Sequence, residues 1–283
     1  MPNTPHRNSL IINYTDKPLI MGILNVTPDS FSDGGKYANV TTAVEQARSM
    51  IAQGVDIIDI GGESTRPNAE PVPVLEQIQR VVPVIQAIRQ FSAVLISIDT
   101  MSSEVAAAAL TAGANLINDV SAGLNDPAIL TVAATQNVPI ILMHSKGTPK
   151  TMQDNPHYDN VVQEVIDALQ QRINAALSAG IQRENIILDV GIGFGKRKQD
   201  NLDLLAHLAD FVAQGFPVLL GTSRKRFMGT ICDVSEPSEL VTATAVTTAL
   251  GVMAGVQLFR VHDVKENRHA VDVAWAIKQS RGV

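Results

Sequence analysis

The sequence predicts an α/β fold, a (β/α)8 TIM barrel in a single domain over residues 1–283. Short apolar runs typical of strands alternate eight times with longer segments of helical periodicity. Each run ends in polar residues, as strands do at the active face of such a barrel. An open doubly wound sheet is the alternative, but no G-x-G-x-x-G motif opens the first helix.

The predicted strands are apolar along most of their length, which is typical of strands buried on both faces of a parallel sheet. A short N-terminal hairpin, including the alternating residues Ser9–Tyr14, is predicted to close the barrel floor. The predicted strands are Leu19–Leu24, Val55–Ile60, Val94–Ile98, Ala114–Asn118, Val138–Met143, Asn185–Val190, Pro217–Gly221 and Val256–Val261.

Glycines mark the predicted helix ends, because helices commonly end in a left-handed residue and glycine adopts that conformation at least cost. Thr42–Glu45 fits a capping box, and Asp126 before Pro127 fits an N-cap followed by proline at the first helical position. The glycines at predicted helix ends are Gly54, Gly113, Gly180, Gly215 and Gly255.

Composition argues against several classes of function. The net charge is −6 and the longest basic run is Arg224–Arg226, which disfavours a nucleic-acid-binding surface. The single cysteine, Cys232, excludes an internal disulfide and a cysteine-rich zinc site, and it favours the cytoplasm. The uncharged run Val241–Phe259 contains four threonines and two glycines, so it is predicted to be a buried helix and a strand rather than a membrane span.

In the stretch Met21–Gly35 an apolar strand ends at Asn25 and a polar loop follows directly. The carboxyl ends of all strands in a barrel converge on one face, so the residues at these ends are site candidates. Those after the first strand are Asp59–Pro67, Asp99–Thr100, Asn118–Asp119, Met143–His144, Asp189–Lys196, Gly221–Arg226 and Arg260–Asp263.

Hydrogen-bond acceptors and cations separate along the chain. Asp99, Asn118 and Asp189 follow apolar strands directly and suit a flat heterocycle with several N–H donors; we call them the acceptor side. The cationic side follows strands seven and eight, where such barrels often bind phosphate. It comprises Arg224, Lys225, Arg226, Arg260 and His262.

Four other polar residues at strand ends receive a structural interpretation. Asp59 and Asp119 are interpreted as caps of the turns that follow them. His144 is interpreted as a satisfied core histidine, and Thr100 as a packing or capping residue.

Several long motifs together resemble the dihydropteroate synthases, folate-pathway enzymes of bacteria and lower eukaryotes. The resemblance extends from about Leu19 to the C-terminus, and the first two loops are its most diagnostic parts. The motifs are Leu24–Gly35, Asp59–Pro67, Ser97–Thr100, Ile117–Val120, Leu188–Lys196, Thr222–Lys225 and Arg260–Asp263.

The resemblance implies roles for the matching positions. Asn25 would bind a Mg²⁺ held by the substrate pyrophosphate, and Arg260 and His262 would bind the pyrophosphate itself. The implied pterin pocket is Asp99, Asn118, Met143, Asp189 and Lys225, with Gly221 as a further substrate-binding position. The resemblance implies that p-aminobenzoate binds beside Phe194, Ser223 and Arg226. It also implies that two loops close over the substrates, and their matching residues are Phe31, Asp33, Thr65, Arg66 and Pro67. The expected catalytic residues are Asn25, Asp33, Thr65, Arg66, Lys225, Arg260 and His262.

The implied reaction joins 6-hydroxymethyl-7,8-dihydropterin pyrophosphate to p-aminobenzoate by a dissociative displacement of pyrophosphate. The resemblance also implies sulfonamide competition and a homodimer, with Ala270–Ile277 in the contact. Whether the Arg226 guanidinium or backbone N–H groups bind the aminobenzoate carboxylate stays open. Two alternative functions are the methyltetrahydrofolate-binding barrel of a corrinoid methyltransferase and a catalytically silent pterin-binding paralogue.

Overall fold

A computed structural model describes residues 16–26, 36–64, 70–147, 152 and 155–280, with the backbone alone for residues 36–39. Eight parallel strands pair in chain order and close into a barrel, which confirms the predicted fold class. The strands are β1 (Leu19–Asn25), β2 (Ile57–Gly61), β3 (Leu95–Asp99), β4 (Leu116–Asp119), β5 (Ile140–Met143), β6 (Ile186–Asp189), β7 (Val218–Leu220) and β8 (Leu258–Val261). The hairpin predicted at Ser9–Tyr14 lies outside the described residues.

The helices lie outside the barrel and bury their apolar faces against it. They are α1 (Lys36–Ala52), α2 (Val74–Arg89), α3 (Ser103–Ala112), α4 (Ala128–Gln136), α5 (Val161–Ser178), α6 (Lys198–Ala206), α7 (Leu208–Val212), α8 (Arg226–Cys232), α9 (Val241–Ala254) and α10 (Val264–Ser280). The run Val241–Phe259 is therefore a helix followed by a strand, as predicted. No helix within the described ranges is long and apolar enough to cross a bilayer.

The predicted helix ends are confirmed, but one of the two predicted starts is wrong and the other is one residue early. All five glycines at predicted helix ends have positive φ, from 75° at Gly215 to 119° at Gly113. The Asp126 carboxylate accepts the Ala128 N–H (3.1 Å), but α4 begins at Ala128 with Pro127 as its N-cap, one residue later than predicted. The capping box at Thr42–Glu45 is wrong, because α1 already begins at Lys36 and these residues lie inside it.

Strand pleating sorts the side chains between the barrel interior and the helix layer. Successive side chains in a strand point to opposite faces, so alternate residues face inward. An inner apolar layer fills the barrel, whereas Ile58 and Ile60 of β2 belong to the larger core under the helices. The residue two places after each inner residue also faces inward, closer to the carboxyl end. The inner layer is Met21, Ile57, Leu116, Ile141, Ile187, Leu219 and Leu258.

Close packing of α9 on the barrel makes Gly251 intolerant of a side chain. A β-carbon at Gly251 would lie 2.7 Å from Cε1 of Phe259 and 3.1 Å from Cδ2 of Leu220. We expect Gly251→Ala to lower the free energy of unfolding by about 1–3 kcal/mol through overpacking, measured by denaturant unfolding. Thr242→Ala, at an exposed position of α9, is the control; equal stability of the two variants would contradict the expectation.

Candidate active site

A cavity of about 690 Å³ opens at the carboxyl ends of the strands. Every described residue to which the resemblance assigned a role lines it, although the strands that carry these residues are spread over the whole chain. These residues are Asn25, Asp99, Asn118, Met143, Asp189, Phe194, Gly221, Ser223, Lys225, Arg226, Arg260 and His262. The predicted loop residues Phe31, Asp33, Thr65, Arg66 and Pro67 lie outside the described residues.

The acceptor side is buried and follows the pleat of the strands. Asn118 and Asp189 each stand two residues after a member of the inner layer, so both side chains point into the barrel mouth. Oδ1 of Asp189 accepts the Gly191 N–H (2.8 Å). Burial raises the pKa of Asp189, against the opposing effects of the Gly191 N–H and the nearby Lys225 charge. Hydrogen bonds from the N–H groups of a ligand would therefore stabilise the ionised form of this carboxylate.

Arg260 links Asp99 of the acceptor side to Asp59, which stands two residues deeper in the barrel register. Its Nε donates to Oδ2 of Asp59 (2.6 Å), and its Nη2 donates to Oδ2 of Asp99 (2.7 Å). Burial raises the pKa of Asp99 to about 7, although Arg260 works against this shift. Burial also disfavours the Arg260 charge, but the two carboxylates outweigh it and raise the pKa of Arg260. The cation is thus fixed at the centre of a buried network.

The structural interpretation is wrong for Asp59 and right for Asp119. Asp59 stands two residues after the inner Ile57 and faces into the barrel, where it accepts from Arg260 and from Nδ2 of Asn118 (3.1 Å). Asp119 directly follows the inward-facing Asn118, so its side chain points the opposite way, toward the helix layer. There it caps its own turn, with Oδ1 accepting the Ser121 N–H (2.8 Å).

All five members of the cationic side line the cavity, but two of them, Arg224 and Arg260, already pair with carboxylates. Arg260 lies within β8 and contacts Asp99 of the acceptor side directly. Arg224 is bound by Asp263, with Nη2 2.6 Å from Oδ1. Nδ1 of His262 lies 2.9 Å from Oγ of Ser223, which joins the ends of β7 and β8. Lys225 places its Nζ 4.2 Å from the ring centroid of Phe194.

The loop after β6 is held by Lys196, a residue to which sequence reasoning assigned no role. Its buried Nζ donates to the carbonyls of Gly191 (2.8 Å) and Phe194 (3.0 Å) and lies 2.9 Å from Nδ1 of His144. Burial, followed by the Lys196 charge, lowers the pKa of His144 to about 3. His144 is therefore neutral at pH 7 and has a partner, as the sequence interpretation held. The sequence placed Lys196 at the end of the stretch Asp189–Lys196 but gave no indication of its contacts.

Comparison with known proteins decides the family. Residues 21–262 match the model of the pterin binding enzymes. The dihydropteroate synthase of Bacillus subtilis is 44% identical over 98% of this chain and 95% of its own length. A Haloferax volcanii protein named "probable bifunctional folylpolyglutamate synthase/dihydropteroate synthase" is 48% identical over 93% of this chain, which spans 31% of that longer relative.

A solved structure agrees with these relatives. The Xanthomonas albilineans dihydropteroate synthase with 4-aminobenzoic acid has a TM-score of 0.87 and 45% identity, covering 93% of this chain and 94% of that one. The chain belongs to the dihydropteroate synthase family. The predicted family and enzyme class, a transferase of folate biosynthesis, are thereby confirmed.

The raised pKa of Asp99 has a measurable consequence for the stability of this dihydropteroate synthase family member. The ionised form of a carboxyl with a raised pKa opposes folding, so stability is lost as the pH rises from about 4, the unfolded value, to about 7. Asparagine resembles the protonated carboxyl. We therefore expect the stability of the parent relative to Asp99→Asn to fall by up to about 1.4 kcal/mol per pH unit across this window.

The measurement is urea unfolding of both proteins from pH 4 to pH 8. Asp233→Asn is the matched control, because Asp233 is exposed and its left-handed backbone (φ 55°) suits asparagine. A stability difference between the parent and Asp99→Asn that is independent of pH would contradict the expectation.

Proposed function

We propose that the chain condenses 6-hydroxymethyl-7,8-dihydropterin pyrophosphate with p-aminobenzoate to give 7,8-dihydropteroate and pyrophosphate. One observation supports the proposal most strongly: the cavity places buried hydrogen-bond acceptors in contact with a cation, since Oδ2 of Asp99 lies 2.7 Å from Nη2 of Arg260. A substrate with an N–H-rich ring next to a pyrophosphate can bind the acceptors through its ring and the cation through its phosphates. A Xanthomonas albilineans relative solved with 7,8-dihydropteroate supports the proposal.

The acceptor side would hold the pterin ring. Asp189 and Asn118 offer oxygen atoms to the amino and ring N–H groups of a pterin, and Met143 packs at the same cavity wall. Because these groups stand on or directly at the ends of strands, they are held rigidly. Such positioning keeps the reactive CH₂ of the substrate aligned with its leaving group.

Asn25 fits the role of a magnesium ligand. Gly61 pairs with both Asn25 and Asp99, and a β-carbon there would be in van der Waals contact with Oδ1 of Asn25 (3.7 Å), so the absence of a side chain leaves space beside this oxygen. The described residues contain no group of three or more His, Cys, Asp and Glu that forms a metal cage. Mg²⁺ commonly keeps several waters and binds through one or two protein oxygens and substrate phosphates, so a single amide oxygen suits it. When bound, Mg²⁺ would neutralise charge on the pyrophosphate.

The chemistry proposed is a dissociative displacement. The C–O bond to pyrophosphate breaks first, leaving positive charge that the conjugated pterin delocalises; the amine nitrogen then forms the C–N bond and releases its proton. Arg260 and the Ser223–His262 pair would stabilise charge on the leaving group. The aromatic amine would enter beside Phe194 and Lys225, with Arg226 near its carboxylate. The released proton is acidic, so no dedicated base is required.

The test of function is formation of 7,8-dihydropteroate from both substrates and Mg²⁺. We expect product with the parent, none after chelation of Mg²⁺, and a loss in kcat/KM of about tenfold or more for Asn25→Ala. Asn125→Ala, an exposed loop position, should match the parent. Asn25→Ala within about threefold of the parent, roughly 0.7 kcal/mol of barrier, would contradict the electrostatic account.

Two outcomes of the same assay would favour the alternative functions. Binding of the dihydropterin pyrophosphate without turnover would indicate a silent paralogue. Pyrophosphate release that does not depend on p-aminobenzoate, together with binding of methyltetrahydrofolate, would indicate a methyltransferase-like barrel.

We also propose a homodimer that forms through α9 and α10. These two helices pack together, and they expose large apolar side chains that a monomer gains nothing by exposing. The residues are Val246, Leu250, Val273 and Ile277. A cytoplasmic location is proposed as well, since a chain with one cysteine has no need of an oxidising compartment.

Charge on this surface is expected to separate the dimer. Leu250 is 62% exposed, and we expect Leu250→Asp to raise the dissociation constant about tenfold or more, because the partner would desolvate the carboxylate. Leu75→Asp is the control, since Leu75 is 67% exposed on α2. Sedimentation equilibrium measures both; equal association of the two variants would place the contact elsewhere.

A further inference from the structure

Two cavity residues converge on Asp59, which is not among the described residues that line the cavity. Its side chain is fully buried, and its Oδ2 accepts from Nε of Arg260 (2.6 Å) and from Nδ2 of Asn118 (3.1 Å). We propose that Asp59 is a positioning residue for pterin binding, which sets the orientations in which Asn118 and Arg260 meet the substrate. The inference rests on the proposed function above.

The orientation of the Asn118 amide follows from the chemistry of Asp59. An ionised carboxylate only accepts hydrogen bonds, so it selects the NH₂ end of the amide and leaves the oxygen for the cavity. An asparagine without such a partner can turn over at little steric cost, and the end presented to the ligand would then be a donor. Asp59 therefore makes Asn118 an acceptor, in keeping with Asp99 and Asp189 beside it.

Asp59 also fixes the plane of the Arg260 guanidinium. Asp59 holds Nε and Asp99 holds Nη2, so two carboxylates on neighbouring strands, β2 and β3, orient one fork. The remaining Nη1 is the part that neither carboxylate holds, and Arg260 lines the cavity with its side chain 22% exposed. A single carboxylate would leave the fork free to rotate about its contact.

The buried Asp59 carboxylate costs folding free energy, which indicates that Asp59 has a functional role rather than a stabilising one. Oδ1 of Asp59 is buried without a hydrogen-bond partner among the described residues, and so is Oγ of Ser97, its register partner on β3. Unpaired buried polar atoms are uncommon and destabilising. A buried ion pair often adds nothing to stability over apolar residues of similar size. An apolar side chain at position 59 would serve folding alone at least as well as this carboxylate.

Asp119 provides a matched comparison. It is also fully buried at a strand end, but both of its oxygens are satisfied by its own turn, through the Ser121 N–H (2.8 Å) and the Gly123 N–H (2.6 Å). Its role is local and structural. Asp119→Asn therefore reports what the loss of a buried carboxylate does when no cavity residue depends on it.

The experiment compares Asp59→Asn with Asp119→Asn by steady-state kinetics and thermal unfolding. We expect Asp59→Asn to raise the KM for the dihydropterin pyrophosphate about tenfold or more, with the KM for p-aminobenzoate within about twofold of the parent. Asp119→Asn should lower the Tm and leave both KM values within about twofold. An unchanged pterin KM in Asp59→Asn, or equal rises in both KM values, would overturn the proposal.

An exchange of the two side chains gives a readout that loss of stability does not mimic. In the double variant D59N/N118D the amide NH₂ at position 59 donates to the carboxylate at position 118, so this bond is kept and an acceptor still faces the cavity, whereas the amide nitrogen cannot accept from Nε of Arg260. We expect the rise in its pterin KM to be smaller than the product of the two single-variant rises, whereas independent roles would multiply the two losses. Multiplied losses would overturn the proposal.

A binding measurement separates this inference from the proposed function. Calorimetry with 6-hydroxymethyl-7,8-dihydropterin, which carries no pyrophosphate, requires no turnover; the affinity should fall about tenfold or more in Asp59→Asn. A parent that binds this pterin but forms no dihydropteroate would refute the proposed reaction and leave the role of Asp59 testable. If Asp59→Asn does not fold, Asp59→Glu, which displaces the carboxylate by one methylene, carries the same expectation and the same refutation.

Discussion

The ion pairs of Arg260 with Asp59 and Asp99 are the interaction on which the site depends. The guanidinium and two carboxyl groups leave water together, which is tolerable only because each carboxyl group lies within 2.7 Å of the guanidinium. The network joins β8 to β2 and β3 across the barrel, so it also ties the last strand to the early ones. Removal of one partner leaves a buried charge unpaired, and the geometry of the cavity changes with it.

The pleat of the barrel delivers these groups to one place. An apolar inner layer, with members such as Ile57 and Leu258, seals the barrel below, and two residues later the same strands present Asp59 and Arg260. Since parallel strands all end on the same face, polar side chains from the whole length of the chain meet there. The hydrophobic core and the site are successive layers of one structure.

Charged side chains also hold the loops around the cavity in place. Arg224 is bound to Asp263, which connects the loops after β7 and β8, and Lys196 gathers the carbonyls of the loop after β6. These contacts hold Ser223, His262 and Phe194 in place. Rigid support of this kind is what a site needs when its main task is to position charge rather than to move protons.

The amino-acid sequence by itself determined the eight strands, the glycine-ended helices, the family and many of the residues that line the cavity. These are local patterns, and neighbours along the chain decide them. Tertiary structure alone decided that Asp59 contacts the site residues while Asp119 caps a turn, because the pairing of the strands in the closed barrel sets which residues of each strand face inward. It also decided the partners of Arg260, which lie 161 and 201 residues away and meet it only when the barrel closes.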